Sequence, residues 1–163
     1  MIEKIDKHSL LEFVIRYAEG EVAKYKQIYG DAQDRANEEE GAMHSRYSTF
    51  KEEGQYLAEG LKDKLNQAKL GLGIAQVMRS ELGKHDFNKV KACALVEVEL
   101  SNDSEMFLFI FPSFGGLVVE QFGVTIISHS SPLGKALLNK EEDDEFTYVV
   151  NGVKREGMVI RVA

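Results

Sequence analysis

Ser131-Pro-Leu-Gly-Lys-Ala-Leu-Leu138 has the form of one short helix set among strands. The serine hydroxyl can accept from a free N–H of the first turn, and the fixed φ of Pro132 suits the first helical position. Asn139 can end the helix. On both sides, β-branched and aromatic residues gather into strand-like runs at 95–100, 106–111, 117–127, 146–150 and 158–162. Asn102-Asp103 lies between the first two runs and Asn151-Gly152 between the last two. Both are hairpin signals, the second suited to a type I′ turn. This half therefore predicts an antiparallel sheet crossed by a short helix, an α+β domain over residues 84–163.

Before residue 84 the pattern changes. The prolines are Pro112 and Pro132, so nothing in the first 111 residues breaks a helix in that way. Leu11, Val14, Ala18, Val22, Tyr25, Tyr29 and Ala32 step by three or four along one helical stripe. Met43, Tyr47, Phe50, Gly54, Leu57, Leu61, Leu65, Ala68 and Leu72 form a second stripe. Such spacing is that of a coiled-coil seam, and the polar stretch 31–41 between the stripes predicts a turn. Residues 1–83 are thus expected as an antiparallel coiled-coil hairpin, with arms of about 25 to 30 residues reaching roughly 40 Å. A dimerising or purely structural coiled coil has the same periodicity.

The charge distribution singles out the far end of that hairpin. Residues 31–40 hold five carboxylates and Arg35, a net of −4, while residues 1–83 as a whole carry −3. The acidic groups are Asp31, Asp34, Glu38, Glu39 and Glu40. Clustered carboxylates gain from a cation, and Mg²⁺ suits one or two of them together with waters. A solvated turn is the plainer alternative, since Glu141-Glu-Asp-Asp-Glu145 is as acidic and is expected as an ordinary connection.

Composition narrows the classes further. The 163 residues carry a net charge of −7, which argues against gripping bare nucleic acid or reading DNA sequence directly. One cysteine, Cys93, excludes an internal disulfide framework and favours a reducing, cytoplasmic setting. No apolar run approaches the roughly 20 residues of a membrane span, and the charged start does not fit a signal peptide. His8, His44, His85 and His129 lack metal-ligand spacing, so no resident metal or cofactor is expected. Cys93 is expected as a small buried side chain at the start of a strand rather than as a nucleophile. Lys24, Lys26, Arg46 and Lys51 suit either a basic strip that steers an RNA end or solvated helix faces.

Ser130-Ser-Pro-Leu-Gly-Lys-Ala-Leu-Leu-Asn-Lys140, with the acidic turn, the run 145–150 and the final hairpin, resembles the carboxy-terminal domain of the bacterial GreA and GreB transcription elongation factors. A coiled coil ahead of this domain matches the order of parts in that family, so the resemblance spans nearly the whole chain. It implies an FKBP-like fold for the second domain, and a hairpin that enters the secondary channel of RNA polymerase while the second domain docks at the channel mouth. Ser131, Pro132, Leu133 and Gly134, in the family motif, become candidate partner-binding residues. Asp34, Glu38, Glu39 and Glu40 become candidate catalytic carboxylates lent to the polymerase, with Asp34 and Glu38 as ligands of a shared Mg²⁺ in its active site.

On this resemblance the chain is no enzyme by itself. It would stimulate the polymerase's own cleavage of backtracked RNA, meeting the RNA 3′ end only indirectly. The family's tip motif has Asp three residues before Glu, followed by Asn-Ala and an aromatic residue. Here Asp34 stands four before Glu38; alternatively Glu40-Gly-Ala42 takes the place of Glu-Asn-Ala, with Asn37 at the Asp position. Two further outcomes remain open: a channel-bound regulator that modulates or inhibits synthesis without stimulating cleavage, and a structural coiled-coil module. Prolyl isomerisation, suggested by the FKBP-like fold alone, rests on fold analogy.

Overall fold

The computed structural model describes residues 2–39, 47–84 and 87–163, and for Glu3, 36–39 and 47–52 the backbone alone. Helix α1 spans Lys7–Glu39 and α2 spans Tyr47–Glu81. Asp6 opens α1: one carboxylate oxygen accepts from the His8 N–H at 3.0 Å, the other from the Ser9 N–H at 3.2 Å and the Ser9 hydroxyl at 2.7 Å. Those bonds, the Ser9 hydroxyl first, hold the Asp6 carboxyl below its ordinary range. With 33 and 35 residues, the helices are each about 50 Å long.

The chain divides into two compact units, one of Val14–Gly73 and the other of Met1–Phe13 with Ile74–Ala163. In the first, Lys64 of α2 places its ammonium 5.9 Å from the centre of the Tyr25 ring of α1. In the second, Arg79 donates to Glu12 at 2.6 Å. Residue numbers rise on α1 as they fall on α2, so the helices run antiparallel. Val14, Ala18 and Leu65 are buried, as the stripes predict. Leu57, expected on the seam, is 62% exposed. Half-buried Ala58 takes that step instead, followed by Leu61, Leu65 and Ala68. Residues 31–39, expected in the turn, are the last turns of α1, because Ala, Gln, Arg and Glu favour helix even where no apolar stripe runs through them.

The second unit is built on a six-stranded sheet in the order β3-β4-β2-β1-β6-β5. Its strands are β1 Leu95–Leu100, β2 Glu105–Phe111, β3 Leu117–Val119, β4 Val124–Ser128, β5 Glu145–Val150 and β6 Val153–Val162. Helix α3, Pro132–Leu137, follows β4. The sheet is antiparallel as expected except at β2–β4, which pair in parallel with Phe107 opposite Val124. The run 117–127 is two strands rather than one. A 3₁₀ turn at Glu120–Phe122 and Gly123, at φ +62°, reverse the chain so that β4 pairs antiparallel with β3 and therefore runs alongside β2.

The pairing register assigns every strand residue to a face. Val96, Val98, Leu108, Ile110, Ile127, Phe146, Val159 and Val162 share one face and join Leu137 of α3 in a single buried cluster. Leu95, Phe109, Phe111, Val124 and Ile126 lie on the other face and are just as buried. On that side the amino-terminal residues contribute: the 3₁₀ turn Ile2–Lys4 touches β1, and Ile2, Leu10 and Leu11 are almost wholly buried. Burying a side chain of this size contributes roughly 1.5–3 kcal/mol. The first residues of the chain thus belong to the unit that contains the sheet.

Candidate functional site

Two places carry the candidate residues. At the end of α1, Asp31 and Asp34 are exposed. Asp34 and Glu38 are four positions apart on the helix and so share its surface one turn apart. Glu38 and Glu39 fall in the last turn of α1, which contains no basic residue. Like charges four positions apart on one helix repel each other, and a cation would offset that repulsion. Glu40, together with Met43 and His44, lies outside the described residues.

The second place is the loop entering α3. Ser131, with extended backbone at φ −66° and ψ 158°, accepts from the Gly134 N–H at 3.0 Å and donates its own hydroxyl to the Ser128 carbonyl at 2.7 Å. One side chain thus caps the helix and ties it to the end of β4. Gly134 is buried so closely that a Cβ would stand 2.1 Å from the Ser128 carbonyl oxygen and 2.9 Å from the His129 Cα. The Ser128 and Ser130 hydroxyls bond each other at 2.7 Å, and the His129 N–H donates to the Phe111 carbonyl at 3.1 Å. His129 Nδ1 is buried without a partner.

The four residues of the motif therefore differ in role. Ser131 and Gly134 hold the turn, Leu133 packs on the α3-side core, and Pro132 is exposed at the start of the helix. Ser128 and His129 complete this bracket and were not among the sequence candidates. The signal was present in Ser128-His-Ser-Ser-Pro132, a cluster of hydroxyl side chains just before a helix-opening proline.

Elsewhere, Cys93 is buried with its N–H donating to the Ile110 carbonyl at 2.7 Å. Its φ of +63° places it in a tight turn rather than in a strand. Burial pushes its thiol up to about 12. The connection at 141–144 is a turn closed by the Glu141 N–H on Asp144 at 2.8 Å, an ordinary connection as expected. Among the described residues no group of His, Cys, Asp and Glu is placed to hold a metal ion by itself. No helix among them is long and apolar enough to cross a membrane.

Comparison with known proteins gives a result for the second half of the chain. Residues 86–163 match the family described as transcription elongation factor GreA/GreB, carboxy-terminal domain. Among curated protein sequences nothing matches. Solved structures with some likeness include the Gfh1 protein of Thermus thermophilus, with 16% identity, TM-score 0.38 and coverage of 91% of this chain and 94% of that one. Thermus aquaticus Gfh1 gives 15%, 0.40, 91% and 93%. The GreA/GreB factor of Nitrosomonas europaea gives 18%, 0.37, 55% and 78%. The family match covers the whole of β1–β6 and α3, including the Ser131-Pro-Leu-Gly134 bracket. By this match, residues 86–163 are similar to the carboxy-terminal domain of the GreA/GreB transcription elongation factors.

Proposed function

We propose that this protein binds RNA polymerase, places the α1–α2 hairpin in its secondary channel and lends carboxylates that accelerate cleavage of backtracked RNA. The observation that carries this reading is a pair of long antiparallel helices, acidic at the end of α1, preceding a GreA/GreB carboxy-terminal domain in one chain. Asp34 and Glu38 are the first pair of ligands, with Glu39 and Glu40 as substitutes. Their chemistry fits: Mg²⁺ takes one or two carboxylates and keeps waters. The metal is the polymerase's; when bound it acidifies a coordinated water and offsets charge on the leaving oxygen. The contribution of this chain is negative charge on a helix long enough to carry it about 50 Å from the other end. Such a factor has no active site of its own and meets the RNA 3′ end only through the polymerase.

Docking belongs in this account to the α3 loop, where Pro132 faces solvent on a turn fixed by Ser131 and Gly134. A second reading has its own support, because in the alternative tip register Asn37 stands where a carboxylate is needed. In that register the hairpin occupies the channel and slows synthesis without promoting cleavage. Cleavage and polymerase binding, measured for Asp34→Ala with Glu38→Ala and for Glu39→Ala with Glu40→Ala, distinguish these readings. We expect the first double variant to bind normally and lose cleavage. Normal cleavage by both double variants would reject the metal role.

A further inference from the structure

The sheet is buried on both faces through most of its width, yet β5 and β6 are covered on one face alone. The register places Glu99, Glu105, Met158 and Glu145 in a row across β1, β2, β6 and β5, on the face opposite α3. Thr147 with Glu156 and Val149 with Lys154 continue that face along β5 and β6. It is open: Met158 is 37% exposed and Val149 55%.

At its centre is a groove of about 370 Å³ lined by Glu99, Ser101, Asp103, Glu145, Glu156 and Met158, among others. Its wall is held in place, since the Ser101 hydroxyl and N–H both donate to the Glu156 carbonyl, at 2.7 and 3.1 Å. Gly157 keeps β6 close to β1 and β5, because a Cβ there would lie 2.6 Å from the Glu99 carbonyl oxygen and 2.7 Å from the Phe146 ring.

We propose that this open half of the sheet is a docking surface for a lysine- or arginine-bearing segment of the protein partner, separate from the α3 loop. The proposal rests on the reading that the partner is RNA polymerase. The charge of the surface selects the chemistry. Among the described residues, Glu156 has an ion-pair partner in Lys154, while Glu99, Asp103, Glu105 and Glu145 have none. Glu99 and Glu105 stand directly opposite each other, an arrangement that weakens a strand pair unless a cation intervenes. Nucleic acid and anionic lipid are repelled by such a surface. A basic side chain, in contrast, can lay its aliphatic stem on Met158 and Val149 and its charged head among the carboxylates.

The test is titration of the full-length protein and its Glu99→Gln, Glu145→Gln double variant onto RNA polymerase over a range of salt concentrations, with thermal stability measured in parallel. We expect the variant to be at least as stable as the parent, because a like-charge pair is removed. It should bind about tenfold more weakly at low salt and lose affinity less steeply as salt rises. Equal affinity and equal salt dependence in a folded variant would overturn the docking surface and leave the proposed function intact. A parent protein that does not bind polymerase would overturn the proposed function and this surface together.

Discussion

Cys93 and Lys7 show how single residues report on the amino-terminal segment of the sheet unit. The Lys7 ammonium lies 3.6 Å from the centre of the Phe87 ring, and burial, with a smaller effect from Lys91 nearby, lowers it from 10.5 to about 8. Between these values the unfolded chain holds a proton that the folded chain has released, so the contribution of Lys7 to stability rises with pH from about 8 to about 10.5. The Phe87 ring favours the ammonium and offsets part of the effect. Urea midpoints should climb from pH 8 to about 9 for the parent and climb less for Lys7→Met; above about 9 the Cys93 thiol, which keeps its proton in the folded chain alone, opposes the rise. An identical slope in both would remove Lys7 as the source. The Cys93 thiol, pushed up to about 12 by burial, should resist alkylation at pH 8 in the folded protein and react once the chain is unfolded. Its burial was legible in the apolar run around it. Its left-handed backbone was not, because no glycine, asparagine or aspartate marked the turn.

At the level of elements, the sequence was most informative where a side chain bonds to its own backbone. Ser131, Pro132 and Asn139 announced α3, and the structure has the cap, the N1 proline and φ +64° at Asn139. Asn151-Gly152 announced the β5–β6 hairpin, and both residues have positive φ, at 51° and 76°. Less legible were features set by distant contacts. Residues 117–127 formed one continuous apolar run, and only the pairing of β4 between β3 and β2 shows why it breaks at Gly123. Nothing local told that Ile2 and Leu10 would be buried in the sheet unit, about 90 residues before its first strand at Leu95. Ser131→Ala should cost about 1 kcal/mol in thermal or urea unfolding, the loss of one cap. Gly134→Ala should cost more, about 1–3 kcal/mol, since the added methyl meets the Ser128 carbonyl and the His129 backbone. An unchanged melting temperature for Gly134→Ala would mean that the loop yields where the packing says it cannot.

Across the whole molecule, neither half is specific alone. Long amphipathic helices serve many ends, and a sheet crossed by one helix hosts many activities. The order of the two, and the motif at 130–140, pointed to one family, and residues 86–163 match the carboxy-terminal domain of that family. The carboxylates of 31–40 were legible as charge, because five fall within ten residues. That Asp31, Asp34, Glu38 and Glu39 lie on α1 was not, since the polar composition of 31–39 gives no apolar period to follow. The central claim is that this helix end completes chemistry carried out by the polymerase. Release of RNA from stalled, backtracked polymerase complexes in Mg²⁺ tests it most directly. The account predicts that the intact protein speeds release and that Asp34→Ala with Glu38→Ala abolishes the gain while leaving binding unchanged. Binding without any acceleration by the intact protein would contradict it.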